Sequence, residues 1–163
     1  MCIRDRGTTD RMTTRVGSHC LLMAYTHVAH DAVVGDHCVL ANCANIAGHV
    51  TIEDWVIIEG VVAVQQFVRI GQHAFVAGGS LVRKNIPPFV KVAREPLSYI
   101  GVNAIGLRRR GFADEFVRAV EDIYRTLYVT GGNMSQAIKV AEMELPISDA
   151  KETILDFIRA SDK

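Results

Sequence analysis

Every sixth residue from Val16 onward is a branched aliphatic: Val16, Leu22, Val28, Val34, Leu40, Ile46, Ile52, Ile58, Val64, Ile70, Val76 and Val82. Leu, Ile and Val together make up 43 of the 163 residues, so twelve hits in a row at a fixed spacing are not chance. Four places after each comes Cys20, Thr26, Ala32, Cys38, Ala44, Val50, Val56, Val62, Val68, Ala74, Ser80 or Ile86, nearly all small or β-branched. The period is neither the 3.6 of a helix nor the 2 of a simple strand. Six residues with one large and one small inward position suit a short strand and a corner. Three such units close a triangular turn of about 18 residues, and turns stack into a parallel β-solenoid through a strand spacing of about 4.8 Å.

The repeat ends at Ile86-Pro87-Pro88, because proline has no N–H for the ladder. An irregular connection is expected over 88–111. From Phe112 the period becomes helical: Phe116, Val117, Val120, Ile123, Tyr124, Leu127 and Tyr128 share one face. Gly131-Gly132 is expected to end that helix. A second helix is expected from Met134 to Glu144, stopped by Pro146, and a third after a Ser148 cap. The expected organisation is therefore an irregular start over 1–15, a mainly β solenoid over 16–87, the connection over 88–111 and a small C-terminal α-helical domain over 112–163.

Composition narrows the function. Lys and Arg number 18, as do Asp and Glu, so no bulk positive charge is available for nucleic acid. With 49% hydrophobic and 22% charged residues the chain is not mainly disordered. It has no apolar run long enough to span a membrane and no signal-like start. The cysteines Cys2, Cys20, Cys38 and Cys43 form no C-x-x-C pair and read as free thiols in a reducing cytosol. Cys20 and Cys38 fall 18 apart in the small inward column, close enough for a bridge, though core packing is the simpler role.

Residues 18 apart lie above one another. His19, His37, Trp55 and His73 thus form one column, read as a ladder of surface rings. His30, Gly48, Gln66 and Lys84 form another, with Asp31, His49, Phe67 and Asn85 beside it. His27 precedes the corner leading to His30, so His27, His30 and His49 are expected to cluster with Asp31. Three readings of that cluster stand: a solvated polar face, a general base polarised by Asp31, or a zinc site built on imidazoles. Arg108-Arg109-Arg110 reads as a solvated face or a phosphate contact.

Several segments carry a resemblance. They are Ala24-Tyr-Thr-His-Val-Ala-His-Asp31, Leu40-Ala-Asn-Cys-Ala-Asn-Ile-Ala-Gly-His-Val50, Val64-Gln-Gln-Phe67, Asn85-Ile-Pro-Pro-Phe89 and Gly101-Val-Asn-Ala-Ile-Gly-Leu-Arg-Arg-Arg-Gly-Phe112. From about Gly7 to the end the chain resembles the UDP-N-acetylglucosamine O-acyltransferase family of lipid A biosynthesis, hexapeptide-repeat acyltransferases with a left-handed parallel β-helix. The resemblance implies transfer of a 3-hydroxyacyl chain from acyl carrier protein to the 3-hydroxyl of UDP-N-acetylglucosamine, by a cytoplasmic homotrimer, with no cofactor and no metal. It implies His30 as general base, Asp31 as its partner and the Gly48 N–H as oxyanion donor. It further implies substrate contacts at His27, His49, Gln66, Asn103, Arg109 and Arg110, and acyl-length control at Gly78.

Some features depart from the family pattern. Gln65 stands where the family often has His, and Ile105 where some members have Glu. Family members also carry more solenoid turns before this point, so a C-terminal fragment is expected, with Met1 to Arg6 outside the repeat as a translation or assembly artefact. Rival readings are an N-acyltransferase of the same pathway, a zinc hydratase similar to γ-class carbonic anhydrase, and an inactive scaffold.

Overall fold

The computed structural model describes residues 3–129 and 133–161. Two compact units divide the chain after Asn103. The first is a three-sided parallel solenoid, one short strand per side in each turn. One side is ordered β1 (Ile3–Arg4), β4 (His27–Val28), β7 (Asn45–Ile46), β10 (Ala63–Val64) and β13 (Leu81–Val82). The second holds β2 (Arg15–Val16), β5 (Val33–Val34), β8 (Thr51–Ile52) and β11 (Arg69–Ile70). The third holds β3 (Leu21–Leu22), β6 (Val39–Leu40), β9 (Ile57–Ile58) and β12 (Phe75–Val76), extended by β14 (Val90–Ala93) and β15 (Ser98–Val102).

The second residue of each repeat strand is the aliphatic of the repeat. From Val28 to Val82 these side chains are at most 3% exposed, stacked as the filling of the prism. The small column packs at the corners, where Ala, Thr, Ser, Cys or Val leaves the aliphatics room, and only its last member, Ile86, is larger. Each turn donates to the next, as in His27 N–H to Ala44 O at 2.9 Å and Ala29 N–H to Ile46 O at 2.9 Å.

The corners have a second rule. The residue before each small one from Cys20 to Ala74 is left-handed, with φ between 56° and 65° at His19, Tyr25, Asp31, His37, Cys43, His49, Trp55, Val61, Phe67 and His73. Asn, Asp and His tolerate this region better than other residues with a Cβ. Four histidines and Asp31 thus sit at corners where the backbone itself favours them. The ring column observed is His19–His37–Trp55–His73–Phe89, with centroids 4.9, 4.1, 6.1 and 5.6 Å apart.

The two ends of the first unit differ from expectation. Ile3–Arg4 does pair in parallel with His27–Val28, but its partners lie 24 residues on, where β2 pairs with β5 at 18. The segment between β1 and β2 is therefore six residues longer than in the regular turns. At the other end, 88–111 is not irregular. β14 and β15 form an antiparallel hairpin, and β14 joins β12 in register (Phe75 with Lys91, Val76 with Val92). The exposed edge of β12 offers an unpaired ladder, and that template outweighs the weak strand signal of so short a segment.

The second unit holds α1 (Ala104–Arg109), α2 (Asp114–Val129), α3 (Met134–Glu144) and α4 (Asp149–Ser161). Helix therefore begins at Ala104, ahead of the expected 112. On α2, Val117, Val120, Ile123, Tyr124 and Leu127 are buried, while Tyr128 is 43% exposed. Asn133 caps α3, its side chain accepting from Gln136 N–H at 2.9 Å. The Ser148 hydroxyl accepts from Lys151 N–H at the start of α4. The expected stop at Gly131-Gly132 lies outside the described residues. No helix among the described residues is long and apolar enough to cross a membrane.

Candidate active site

The site is assembled at one corner line of the solenoid, where Asp31 and His49 occupy left-handed positions on successive turns. His30 Nδ1 lies 3.1 Å from Asp31 Oδ2, and His49 Nε2 lies 3.8 Å from the same oxygen. The rings of His30 and His49 meet edge to face with centroids 5.2 Å apart. Phe67, one turn further, stacks on His49 at 4.8 Å. Stacking by 18 residues thus does bring His30, Asp31 and His49 together.

The Asp31 side chain is fully buried, yet it is well supplied with donors. Thr8 N–H reaches its two oxygens at 3.0 and 3.1 Å, and the Thr8 hydroxyl donates to Oδ2. Burial alone would raise its pKa. The Thr8 hydroxyl, His30, the Thr8 N–H and the nearby His49 outweigh burial and lower it to about 2. Asp31 is therefore an anion at neutral pH and an acceptor only, so the nitrogen of His30 facing it carries the proton. Nε2 is left as the basic nitrogen of the neutral ring.

Gly48 lies against that ring. A Cβ built on Gly48 would stand 2.6 Å from His30 Cε1 and 2.7 Å from Nε2, a separation that real side chains do not adopt. Among the described residues the Gly48 N–H has no hydrogen-bond acceptor. Its carbonyl accepts from Phe67 N–H at 3.3 Å. A base and an uncommitted backbone donor thus sit side by side, the arrangement that acyl transfer requires.

The other expected site residues are distributed differently. His27 lies outside the cluster, with Nε2 3.1 Å from Asp5 Oδ2. Gln66 is exposed. Gly78 is exposed and donates its N–H to Glu59 Oε2 at 2.9 Å. Asn103 is buried, and its amide donates to the His73 carbonyl at 2.9 Å, fastening the end of β15 to the solenoid. In the helical unit Arg109 is exposed and Arg110 is partly buried. Arg108 pairs with Asp114 at 2.7 Å. Cys20, Cys38 and Cys43 are free thiols, so the possible Cys20–Cys38 bridge is absent. Burial pushes the Cys38 thiol up to about 12.

Thr8, Asp10 and Thr14 escape a reading by repeat register, because they lie in the longer segment before β2. Asp10 Oδ2 lies 3.2 Å from His49 Nδ1, and the Thr14 hydroxyl accepts from Asp31 N–H at 2.9 Å. The one available signal is the failure of the six-residue period there. His30, Asp31 and His49 could also hold a metal, with ligand atoms within 4.8 Å of one another. The Asp31 oxygens already accept from Thr8 and His30, and a cation would have to displace those donors.

Residues 13–48 match the family "Bacterial transferase hexapeptide (six repeats)", and residues 85–163 match "Udp N-acetylglucosamine O-acyltransferase; Domain 2". The chain is 49% identical over 169 aligned residues to a protein of Xanthomonas oryzae pv. oryzae and 39% identical over 163 to one of Thiobacillus denitrificans. Both are named acyl-[acyl-carrier-protein]--UDP-N-acetylglucosamine O-acyltransferase. These alignments cover 99% of this chain and 64% and 63% of the relatives. The Bacteroides fragilis structure of LpxA, a UDP-N-acetylglucosamine acyltransferase, superposes with a TM-score of 0.94 at 43% identity, covering 96% of this chain and 62% of that one. The Acinetobacter baumannii LpxA structure gives 0.92 at 35%, covering 98% and 63%. The chain spans a little under two thirds of the length of these relatives. With the solenoid, the helical unit and 39–49% identity across nearly its whole length, the chain belongs to the UDP-N-acetylglucosamine O-acyltransferase family.

Proposed function

We propose that this chain carries the catalytic face of an acyltransferase that moves a 3-hydroxyacyl group from acyl carrier protein to the 3-hydroxyl of UDP-N-acetylglucosamine. His30 Nε2 takes the hydroxyl proton as the sugar oxygen attacks the thioester carbonyl carbon. The carbonyl oxygen becomes an oxyanion and accepts from the Gly48 N–H. Collapse of that intermediate breaks the C–S bond, and the thiolate leaving group takes the proton from His30. Asp31 holds the imidazole in the required tautomer and stabilises the imidazolium between the two transfers. His27, His49, Gln66, Asn103, Arg109 and Arg110 are proposed to contact the substrates, with Gly78 bounding the acyl chain.

The observation that carries this reading is the His30–Gly48 juxtaposition, a basic nitrogen over a residue that has no room for a side chain and whose N–H has no partner among the described residues. A His–Asp face on a prism side lacks walls of its own. A trimer of such chains, each closing its neighbour's site, supplies them. The proposed setting is the cytoplasm, where both substrates are carried in water. Arg109 and Arg110 are proposed to meet the nucleotide phosphates.

The test is an assay of the purified chain with 3-hydroxyacyl carrier protein and UDP-N-acetylglucosamine, read by mass spectrometry of the O-acylated product. His30→Ala is expected to lower turnover by about 10²–10⁴-fold without unfolding the chain. Transfer only to an acylated glucosamine amine would favour the N-acyltransferase. Unchanged turnover in His30→Ala would overturn the mechanism.

A further inference from the structure

We propose that Thr8 is a positioning residue for the His30–Asp31 pair, fixing the carboxylate so that Oδ2 receives the His30 Nδ1 proton and Nε2 stays basic. This rests on the reading of His30 as general base. The observations are local and convergent. Asp31 is fully buried, and besides His30 its oxygens accept both the N–H and the hydroxyl of a single residue, Thr8. Thr8 itself is exposed and lies in the segment that breaks the repeat, so its place is not dictated by core packing. The same segment sends Thr14 to the Asp31 N–H, Asp10 to His49 Nδ1 and Arg11 Nη1 to the Asp31 carbonyl at 3.4 Å.

The physical reason is the acceptor geometry of a carboxylate. A carboxylate with two oxygens and one imidazole partner is free to rotate about χ2 and present either oxygen. Two donors from one residue, its N–H and its hydroxyl, remove that freedom and leave one direction for the imidazole N–H. Without the hydroxyl the carboxylate turns more freely, and the neutral His30 ring samples the tautomer with the proton on Nε2, which cannot act as a base. Thr8 touches neither reacting atom in this scheme. It acts through Asp31.

The experiment compares wild type, Thr8→Val and Thr8→Ser by steady-state kinetics and by 15N NMR of the histidine side chains. Valine keeps the shape and the backbone N–H but removes the hydroxyl, and serine restores it. Thr8→Val is expected to lower kcat about tenfold, the weight of one hydrogen bond to a charged group, with KM for the sugar nucleotide unchanged. Thr8→Ser is expected to stay within about threefold of wild type. The His30 ring of wild type and Thr8→Ser should show a protonated Nδ1 near pH 8, and that of Thr8→Val a mixture. Wild-type kcat and tautomer in Thr8→Val, or an equal loss in Thr8→Ser, overturns the proposal. If the wild type transfers no acyl group but the tautomer still follows the hydroxyl, positioning stands and the acyltransferase reading falls.

Discussion

Gly48 and His30 stand one solenoid turn apart, with the imidazole so close above the glycine α-carbon that a methyl group there would meet Cε1 at 2.6 Å. The contact is with a side chain on the surface of the prism, not with the core. Gly48→Ala is therefore expected to keep the fold and to push the ring off its place over the amide. Turnover should fall by about 10²–10³-fold, the range for loss of an oxyanion donor, while the melting temperature stays near that of wild type. Kinetics paired with a thermal melt decide it. A fully active Gly48→Ala chain would sever the link between this geometry and the chemistry.

Asp31 makes stability depend on acid. Its folded pKa of about 2 lies below the ordinary 3.8, so the folded state binds its proton less readily than the unfolded state. The resulting stabilisation is fully present above about pH 4 and is lost as pH falls through about 2. Asp31→Asn removes the titration. Urea unfolding at pH 5, 4, 3 and 2 should show the wild type losing its margin over Asp31→Asn through that window. Parallel curves for the two chains would mean that the donors from Thr8 and His30 do not bias the ionisation. At pH 8 the same variant should turn over about two orders of magnitude more slowly, since a neutral amide cannot stabilise the imidazolium.

The solenoid is legible in the sequence because its code is one-dimensional. Each repeat buries one aliphatic against the next turn, so Val28 to Val82 can be counted along the chain, and the pairing of His30 with Gly48 and of Asp31 with His49 follows from counting 18. Three things are not legible by counting. β14 is a strand because β12 presents it with an open edge, a tertiary cause absent from its own residues. Asn103 lies beyond the repeat, so no register places its amide on the His73 carbonyl. Thr8 and Asp10 meet the site only because their segment leaves the period, and a register cannot place what falls outside it. The histidine ladder shows the converse. His19, His37 and His73 read as a column of surface rings and do stack, although His73 is buried, and their left-handed φ gives a backbone reason for the residue type.

That corner rule predicts a stabilising substitution. Val61 is a β-branched residue at φ 60° and is 68% exposed, so it bears the steric cost of the left-handed region with little burial in return. Asn fits that region by bonding its side chain locally. Val61→Asn is expected to raise stability by about 0.5–1 kcal/mol, seen as a higher denaturation midpoint with an unchanged slope. The equivalent change at Ile58, fully buried within the same turn, should instead cost more than Val61→Asn gains. A loss of stability in Val61→Asn would show that the exposed valine has a contact worth more than its strain.

In the helical unit Lys151 is only 7% exposed, an unusual place for an ammonium group. Its Nζ donates to the carbonyls of Glu142 at 2.8 Å and Leu145 at 2.7 Å, at the C-terminal end of α3. Those carbonyls belong to the set that a helix leaves without an internal partner, and the negative end of the helix dipole favours a cation there. The side chain thus ties α4, where it is rooted, to the last turn of α3. Lys151→Met keeps the length and apolar stem but removes every donor. It is expected to cost about 1–3 kcal/mol of stability. Lys151→Gln, with its shorter amide, should fall between wild type and the methionine variant. Circular dichroism at 222 nm reads these helices directly during urea unfolding. A methionine variant as stable as wild type would mean that burial of the stem, and not the cap, holds the two helices together.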